Sequence, residues 1–264
     1  MNHTDTSTRD IYNSSAIVTH YARATDLQPA ERTILSRLAG DLPRMEMLDI
    51  GVGGGRTTRH FAPAVKQYVG VDYSERMIVA CRQLFPENGS RRFEVADACD
   101  LRGFRDASFD LVLFSFNGID CIPPQNRTQA LREMMRVLRP GAHLVFSAHN
   151  SNYLAQHQRR LRPRLSRSPR RMLKLTKRYL TFQIKNRFVS YGPDVTEAFV
   201  FDGAERFGVP FVYIRPDEQM RRLRALDLRD VQMFGSDTGA EYDPSEAVTC
   251  AEPWAYYVCR KSAP

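Results

Sequence analysis

Residues 45–61 read MEMLDIGVGGGRTTRHF, and this stretch decides the fold. Met47, Leu48 and Ile50 supply a short, continuously apolar run, the pattern of a buried strand. Gly51, Gly53, Gly54 and Gly55 make a turn almost free of side chains, and Thr57 and Thr58 open a helix. Glycine reaches positive φ and lets the backbone approach a ligand closely. The helix start behind such a turn offers unpaired N–H groups to that ligand. The stretch therefore predicts a strand, a turn and a helix that hold a nucleotide-like molecule. The dinucleotide fingerprint G-x-G-x-x-G/A fits at Gly51 and Gly53 but fails at its sixth position, where Arg56 puts a long cation at the point of close helix–strand packing.

The 264 residues, 42% of them hydrophobic, suit one α/β core with additions. No apolar run approaches the ~20 residues needed to cross a bilayer. The first ten residues, MNHTDTSTRD, are polar and contain no hydrophobic segment of the signal-peptide kind. Five cysteines (Cys81, Cys99, Cys121, Cys250 and Cys259) are scattered without C-x-x-C spacing. They predict reduced thiols in a cytoplasmic protein rather than a zinc site or a disulfide framework, and no metal is expected. The net charge of +8 is local: residues 151–190 hold 12 Lys/Arg and no Asp/Glu, leaving 26 Lys/Arg against 30 Asp/Glu elsewhere, a balance of −4. A general affinity for nucleic acid is therefore a poor inference from the charge.

Read in order, the chain alternates helices and strands. Ser14–Ala24 carries Ile17, Val18 and Tyr21 at helical spacing, and a second helix opens at Pro29 with Ile34, Leu35, Leu38 and Leu42 on one face. Gln67–Asp72 is a second buried strand ending in an acid. A carboxylate there can accept from both hydroxyls of a ribose. Tyr73 and Ser74 lead into a helix to about Phe85. Arg92–Ala98 is a third strand, and Ser108–Phe116 a fourth. Asn117, Gly118 and Asp120 follow at the carboxyl end of the fourth strand, where open α/β sheets bind ligands. A helix over Gln125–Leu138, a turn at Arg139-Pro140-Gly141 and a fifth strand over Ala142–Ala148 come next. His149 and Asn150 then stand on the same rim as Asn117.

The spacing Asp49-x-Gly51-x-Gly53-x-Gly55 resembles motif I of class I S-adenosylmethionine (SAM)-dependent methyltransferases. VDYSERMI (71–78) is similar to the segment that follows it in that family, and RVLRPGAHLVF (136–146) to the approach into the fifth strand. The resemblance covers residues 46–150 in the right order. It implies an α/β, Rossmann-like fold with a seven-stranded mixed sheet of order 3-2-1-4-5-7-6 and helices on both faces. It also implies SAM as cofactor. Asp49, Gly51, Gly53 and Gly55 would cradle its methionyl end and sugar. Asp72, with Tyr73 beside it, would hold the ribose, Asp97 and Ala98 the adenine, and the backbone around Phe114 the methionine part. N-terminal helices of such proteins lie over the cofactor, which makes His20 and Tyr21 candidates for the acceptor side. His149 is the first candidate for a general base, with Tyr21 beside it as a catalytic candidate. Asn117, Asp120 and Asn150 are candidate acceptor contacts.

The remaining segments divide the chain into a helical region (1–44), a core (45–150 and 216–262) and an inserted cap (151–215). The cap opens with the basic run 159–187, in which Arg162–Pro169 reads as a loop and Met172–Arg187 as an amphipathic helix with Leu173, Thr176, Leu180 and Ile184 on one face. That run fits a solvated basic helix, a site for an anionic or carrier-bound acceptor, or a membrane or nucleic-acid surface. Aromatics follow, with two short strands at Phe199–Phe201 and Val209–Ile214, and Tyr213 is a candidate contact in the acceptor roof. A helix from Pro216 and a closing antiparallel pair, Arg229–Phe234 with Trp254–Arg260, complete the core. The pattern resembles bacterial small-molecule methyltransferases acting on natural products and sugars, with an oxygen, nitrogen or carbon nucleophile left open. An RNA methyltransferase using residues 159–187 is the alternative. It is disfavoured because SFNG (115–118) stands where base-amine methylating enzymes carry an Asn/Asp-Pro-Pro-Tyr/Phe motif. A non-catalytic SAM-binding regulator is the other, and a homodimer is left open.

Overall fold

Five parallel strands carry the glycine turn: β1 (Glu46–Ile50), β2 (Gln67–Asp72), β3 (Arg91–Val95), β4 (Phe109–Phe114) and β5 (Leu138–Asn150). The computed structural model describes residues 3–163, 168–192 and 194–263. Two further pieces of strand, β6 (Glu197–Val200) and β7 (Phe211–Ile214), precede β8 (Leu228–Gly235), β9 (Glu241–Tyr242) and β10 (Trp254–Lys261). The main sheet runs β3-β2-β1-β4-β5-β10-β8-β9, with β10 antiparallel to both neighbours. Counted without the short β6, β7 and β9, this is the order 3-2-1-4-5-7-6.

The nine helices of the described residues are α1 (His3–Tyr12), α2 (Ser15–Arg23), α3 (Pro29–Leu38), α4 (Thr58–Phe61), α5 (Glu75–Leu84), α6 (Pro124–Val137), α7 (Leu154–Leu161), α8 (Pro169–Lys185) and α9 (Pro216–Ala225). Alternation along each strand feeds two cores. Leu48, Val69, Val112 and Leu144 point to the face covered by Met134, Val137 and Leu223, while Met47, Tyr68, Leu111 and Val145 point to the other, with Ile34, Phe61 and Ile78. Covering on both faces is why the inner strands are apolar throughout.

Three local expectations change. Arg139-Pro140-Gly141 is not a free turn but the bulged start of β5: Phe109 pairs with Leu138, Leu111 next pairs with His143, and Gly141 takes φ +76°. The cap strands do not stand apart from the sheet. β6 and β7 pair antiparallel, and β7 runs parallel to the far end of β5, with His149 opposite Tyr213 and Asn150 opposite Ile214. The expected loop over Arg162–Pro169 lies partly outside the described residues, at 164–167. The helix after it turns a different face inward from the one read as apolar. Phe182 is fully buried, whereas Leu173, Leu180 and Ile184 are more than half exposed. Phe182 joins a third small core with Leu154, Val200, Phe207 and Phe211, and that core holds the cap against β5.

Candidate active site

The carboxyl ends of β1, β2, β4 and β5 surround a cavity of ≈ 310 Å³, closed by α1, α2 and the start of β10. It is lined by Gly51, Gly53, Asp72, Tyr73, Ala98 and Phe114, and by Tyr12, Tyr21, Phe116, His149, Phe211 and Trp254. Their rings form a continuous belt of edge-on contacts, Tyr73–Tyr12–Tyr21–Phe116–Trp254–His149–Phe211, each step with centroids 5.5–6.4 Å apart. Edge-to-face rings at these separations attract one another and form a stiff apolar wall.

The glycine turn is shaped by packing as well as by the cavity. Gly51, Gly53 and Gly55 all take positive φ, which explains glycine there. Gly54 is needed for a different reason: a Cβ on it would fall 2.3 Å from the Ala22 nitrogen, because the backbone of α2 rests directly on the turn. Gly55 does not reach the cavity; it packs on Phe85 and Cys81. Asp49 lies behind the turn, fully buried, and accepts from Thr57 Oγ1 at 2.5 Å and Tyr68 Oη at 2.6 Å. Burial pushes its carboxyl up to about 6. Asp49 therefore positions the turn instead of lining the cavity.

Asp72 does line it. Its Oδ2 accepts from Gly53 N at 3.0 Å and its Oδ1 from Ser74 N at 2.9 Å. Each oxygen of a carboxylate has a second lone pair, so the buried acid keeps capacity for two more donors. Burial pushes this carboxyl up to about 6 as well. Beside it Ile50, Met77, Ala96 and Ala98 give a flat apolar wall. A ribose diol on Asp72 and a purine against those side chains match this donor and shape inventory, so the residues present fit SAM. Asp97 is not on the wall; its Oδ1 accepts from Cys99 N at 2.8 Å as a turn cap, and only the neighbouring Ala98 reaches the cavity.

His149 is held from three sides. Its Nδ1 lies 2.9 Å from Asp120 Oδ2, and its backbone N donates to the same oxygen at 2.6 Å. Asp120 is fully buried and ion-paired with Arg127, whose Nη1 lies 2.6 Å from Oδ1. Arg127 Nη1 also donates to Ile119 O at 2.9 Å, and its Nη2 to Gln219 Oε1 at 3.2 Å. The ring of Tyr213 stacks on the imidazole at 4.5 Å. An acceptor at Nδ1 places the ring proton there and leaves Nε2 as the basic nitrogen on the cavity side. Asn117 Nδ2 donates to that Nε2 at 3.3 Å, a bond that must give way when Nε2 takes a proton from an acceptor. Asn117 and Phe116 both take left-handed φ, +59° and +54°, a sparsely populated conformation for such residues and one found at functional sites. It turns both side chains toward the cavity.

Several expected contacts are elsewhere. His20 is exposed on α2 and does not line the cavity, because the helix turns Tyr21 inward instead. Asp120 sits behind His149, spent on Arg127 and the imidazole. Asn150 is buried and donates to the carbonyls of Cys250 and Glu252 at 2.8 and 3.0 Å, tying β5 to the loop before β10. Tyr213 lies behind the imidazole, donating its hydroxyl to Asp202 at 2.9 Å. The cavity's Tyr12, Cys121, Phe116, Phe211 and Trp254 were not singled out from the sequence. Trp254 carried a usable signal: an antiparallel partner of β5 must begin where β5 ends, and Trp254 pairs with His149.

Arg56, the residue that broke the dinucleotide fingerprint, clamps α3 to the turn. Its two terminal nitrogens lie 2.5 and 2.6 Å from the two oxygens of Glu31, and it donates to Ser115 Oγ at 3.1 Å. Glu31 is buried and also accepts from Tyr256 Oη at 2.9 Å and Gln28 N at 2.7 Å. The substitution Arg56→Met leaves that carboxylate buried without a counter-charge. Urea denaturation should show a loss of about 3–5 kcal/mol. The double variant Arg56→Met/Glu31→Met should recover most of it, and equal stability of the single and double variants would refute the clamp.

Residues 48–146 match a family model described as a methyltransferase domain. A demethylmenaquinone methyltransferase of Clavibacter sepedonicus is 32% identical over 114 residues, 43% of this chain and 45% of that protein. The ajmaline N-methyltransferase of Rauvolfia serpentina is 32% identical over 131 residues, 48% of this chain and 43% of that protein. The chain thus spans less than half the length of these curated relatives. A SAM-dependent methyltransferase structure from Mesorhizobium loti superposes with a TM-score of 0.59 at 19% identity, covering 88% of this chain and 98% of that one. That likeness establishes the fold.

Proposed function

We propose, from the premise that this chain carries a class I SAM-dependent methyltransferase domain, that it methylates a small-molecule acceptor held in the aromatic-belted cavity. One observation carries the reading: a single continuous pocket joins the glycine turn and Asp72 to His149. A site of ≈ 310 Å³ is in the lower range of small-molecule pockets.

SAM, when bound, supplies a methyl carbon on a positively charged sulfur, which the acceptor takes by in-line displacement. The chain's own work is alignment and exclusion of water. Gly51, Gly53 and Asp72 hold the donor side, and Phe114 closes the turn. The aromatic belt keeps the cavity dry and fixes the acceptor's plane. His149 Nε2 receives the proton that a hydroxyl or ammonium acceptor gives up, and Asp120, as a positioning residue, fixes the ring's tautomer and direction. The RNA reading asked the basic run to build the site. Among the described residues none of its cations lines the cavity, and α8 packs through Phe182 into the cap core. The absence of Lys and Arg from that lining equally removes support for an anionic acceptor bound inside it. No helix of the described residues is long and apolar enough to cross a membrane.

Methyl-labelled SAM incubated with the protein and a metabolite extract should place label in a low-molecular-weight fraction, and nuclease treatment should not change the yield. Label confined to RNA would overturn the proposal.

A further inference from the structure

The unmet hydrogen-bonding demand of the cavity is for donors and positive charge. Asn117 lines the cavity with its Nδ2 toward His149, while its Oδ1 is buried beneath the surface and accepts from nothing. Glu205 lines the same cavity, and its carboxylate makes no hydrogen bond or ion pair among the described residues. Burial pushes its carboxyl up, and the neighbouring His20 imidazole opposes this only in part; a ligand cation beside it would oppose it further.

The backbone that places Glu205 is costly. Glu205, Arg206 and Phe207 take φ of +44°, +56° and +63° in succession, after Gly203 at +100°. Non-glycine residues in this region are strained, and such strain gathers at ligand clamps. Phe207 anchors the turn in the cap core, which leaves Glu205 facing the cavity. Charge points the same way. The chain carries +8 overall, yet the lining contains Asp72, Asp202 and Glu205 and, among the described residues, no Lys or Arg. Arg56 lies over the Phe116 ring at 5.0 Å, but it is spent on Glu31. Asp202 is engaged by Tyr213 Oη and Ala204 N, so Glu205 is the carboxylate left for a ligand. The aromatic belt adds rings that attract cations through their faces.

We propose that the acceptor is a cationic amine, its N–H group taken by Glu205 and its body seated within the aromatic belt. This rests on the methyl-transfer reading above and narrows its nucleophile to nitrogen. An ammonium has no lone pair to offer, so it must first give a proton away, and the basic Nε2 of His149 lines the same cavity to receive it.

Trp254 is the chain's single tryptophan and lies on the cavity wall, so its emission reports occupancy. The full-length protein, saturated with S-adenosylhomocysteine, is titrated with 2-phenylethylamine, N-methylbenzylamine, 2-phenylethanol and 3-phenylpropionate. The amines should bind at least about ten-fold more tightly than the alcohol, about 1.4 kcal/mol, with the carboxylate weakest. Glu205→Gln should erase the preference while calorimetric SAM affinity stays unchanged. Equal binding of amine and alcohol, or no binding by any probe, overturns the inference. So does a Glu205→Gln variant that loses SAM affinity yet keeps the amine preference, since the carboxylate would then serve the methyl donor. Transfer to a neutral metabolite with SAM binding intact defeats the amine assignment alone; failure of SAM binding in the unaltered protein defeats the reading beneath it.

Discussion

Asp72→Ala is expected to lower SAM affinity by at least about 100-fold. Two hydroxyl donors on a buried carboxylate are each worth about 1.5–3 kcal/mol, and every 1.4 kcal/mol is a factor of ten. The variant also frees Gly53 N and Ser74 N, which Asp72 holds at 3.0 and 2.9 Å, so the glycine turn loses its anchor together with its ligand contact. Calorimetry measures the loss, and circular dichroism controls for folding. The same carboxylate sets a pH dependence. Burial pushes it up to about 6, and only the ionised form can accept from both hydroxyls. SAM affinity of the unaltered protein should therefore fall as the pH drops through 6, and the Asp72→Ala variant should lack that step. Unchanged affinity in the variant would remove Asp72 from the cofactor site.

The second large effect belongs to His149. His149→Gln should lower kcat by about 10²–10⁴, the usual contribution of a positioned general base, with SAM affinity unchanged. Asp120→Asn should reproduce part of that loss through the imidazole, because an amide can offer Nδ1 the wrong partner. It also leaves Arg127 buried beside a neutral group, so its interpretation depends on His149→Gln giving a loss of kcat in the same direction with SAM affinity unchanged. Full activity in His149→Gln would take the imidazole out of the mechanism and leave it as a wall of the belt.

The parts legible in the sequence are those fixed by local pattern. The apolar runs of β1, β2, β4 and β5, the glycine turn and the acid ending β2 all depend on residues adjacent in the chain. Asp72, Tyr21, Asn117 and His149 all line the cavity, from strand ends or an inward helix face that local pattern also indicates. What depended on distant packing was not legible. Asp120 and His149 both stood out, yet the side-chain bond between them requires β5 to run beside the turn after β4. Glu31 read as an acid at a helix start, and only the fold reveals that Arg56 reaches it. Leu173, Leu180 and Ile184 form a genuine stripe on α8, but periodicity cannot say which of two stripes meets the core, and Phe182 on the other side does.

The glycine turn answers to two masters. A Cβ at Gly54 would collide with the main chain of α2 at 2.3 Å, whereas one at Gly53 would meet nothing nearer than the Tyr21 ring at 3.5 Å. Architecture therefore enforces glycine at 54 whether or not a ligand is ever bound. At 53 the constraint is a φ of +55°, which asparagine and aspartate also tolerate. In a lineage that had abandoned methyl transfer, position 53 would be free to drift while position 54 stayed fixed. Within this signature, then, the less crowded glycine is the better witness that a relative is still a living enzyme rather than the fossil of one.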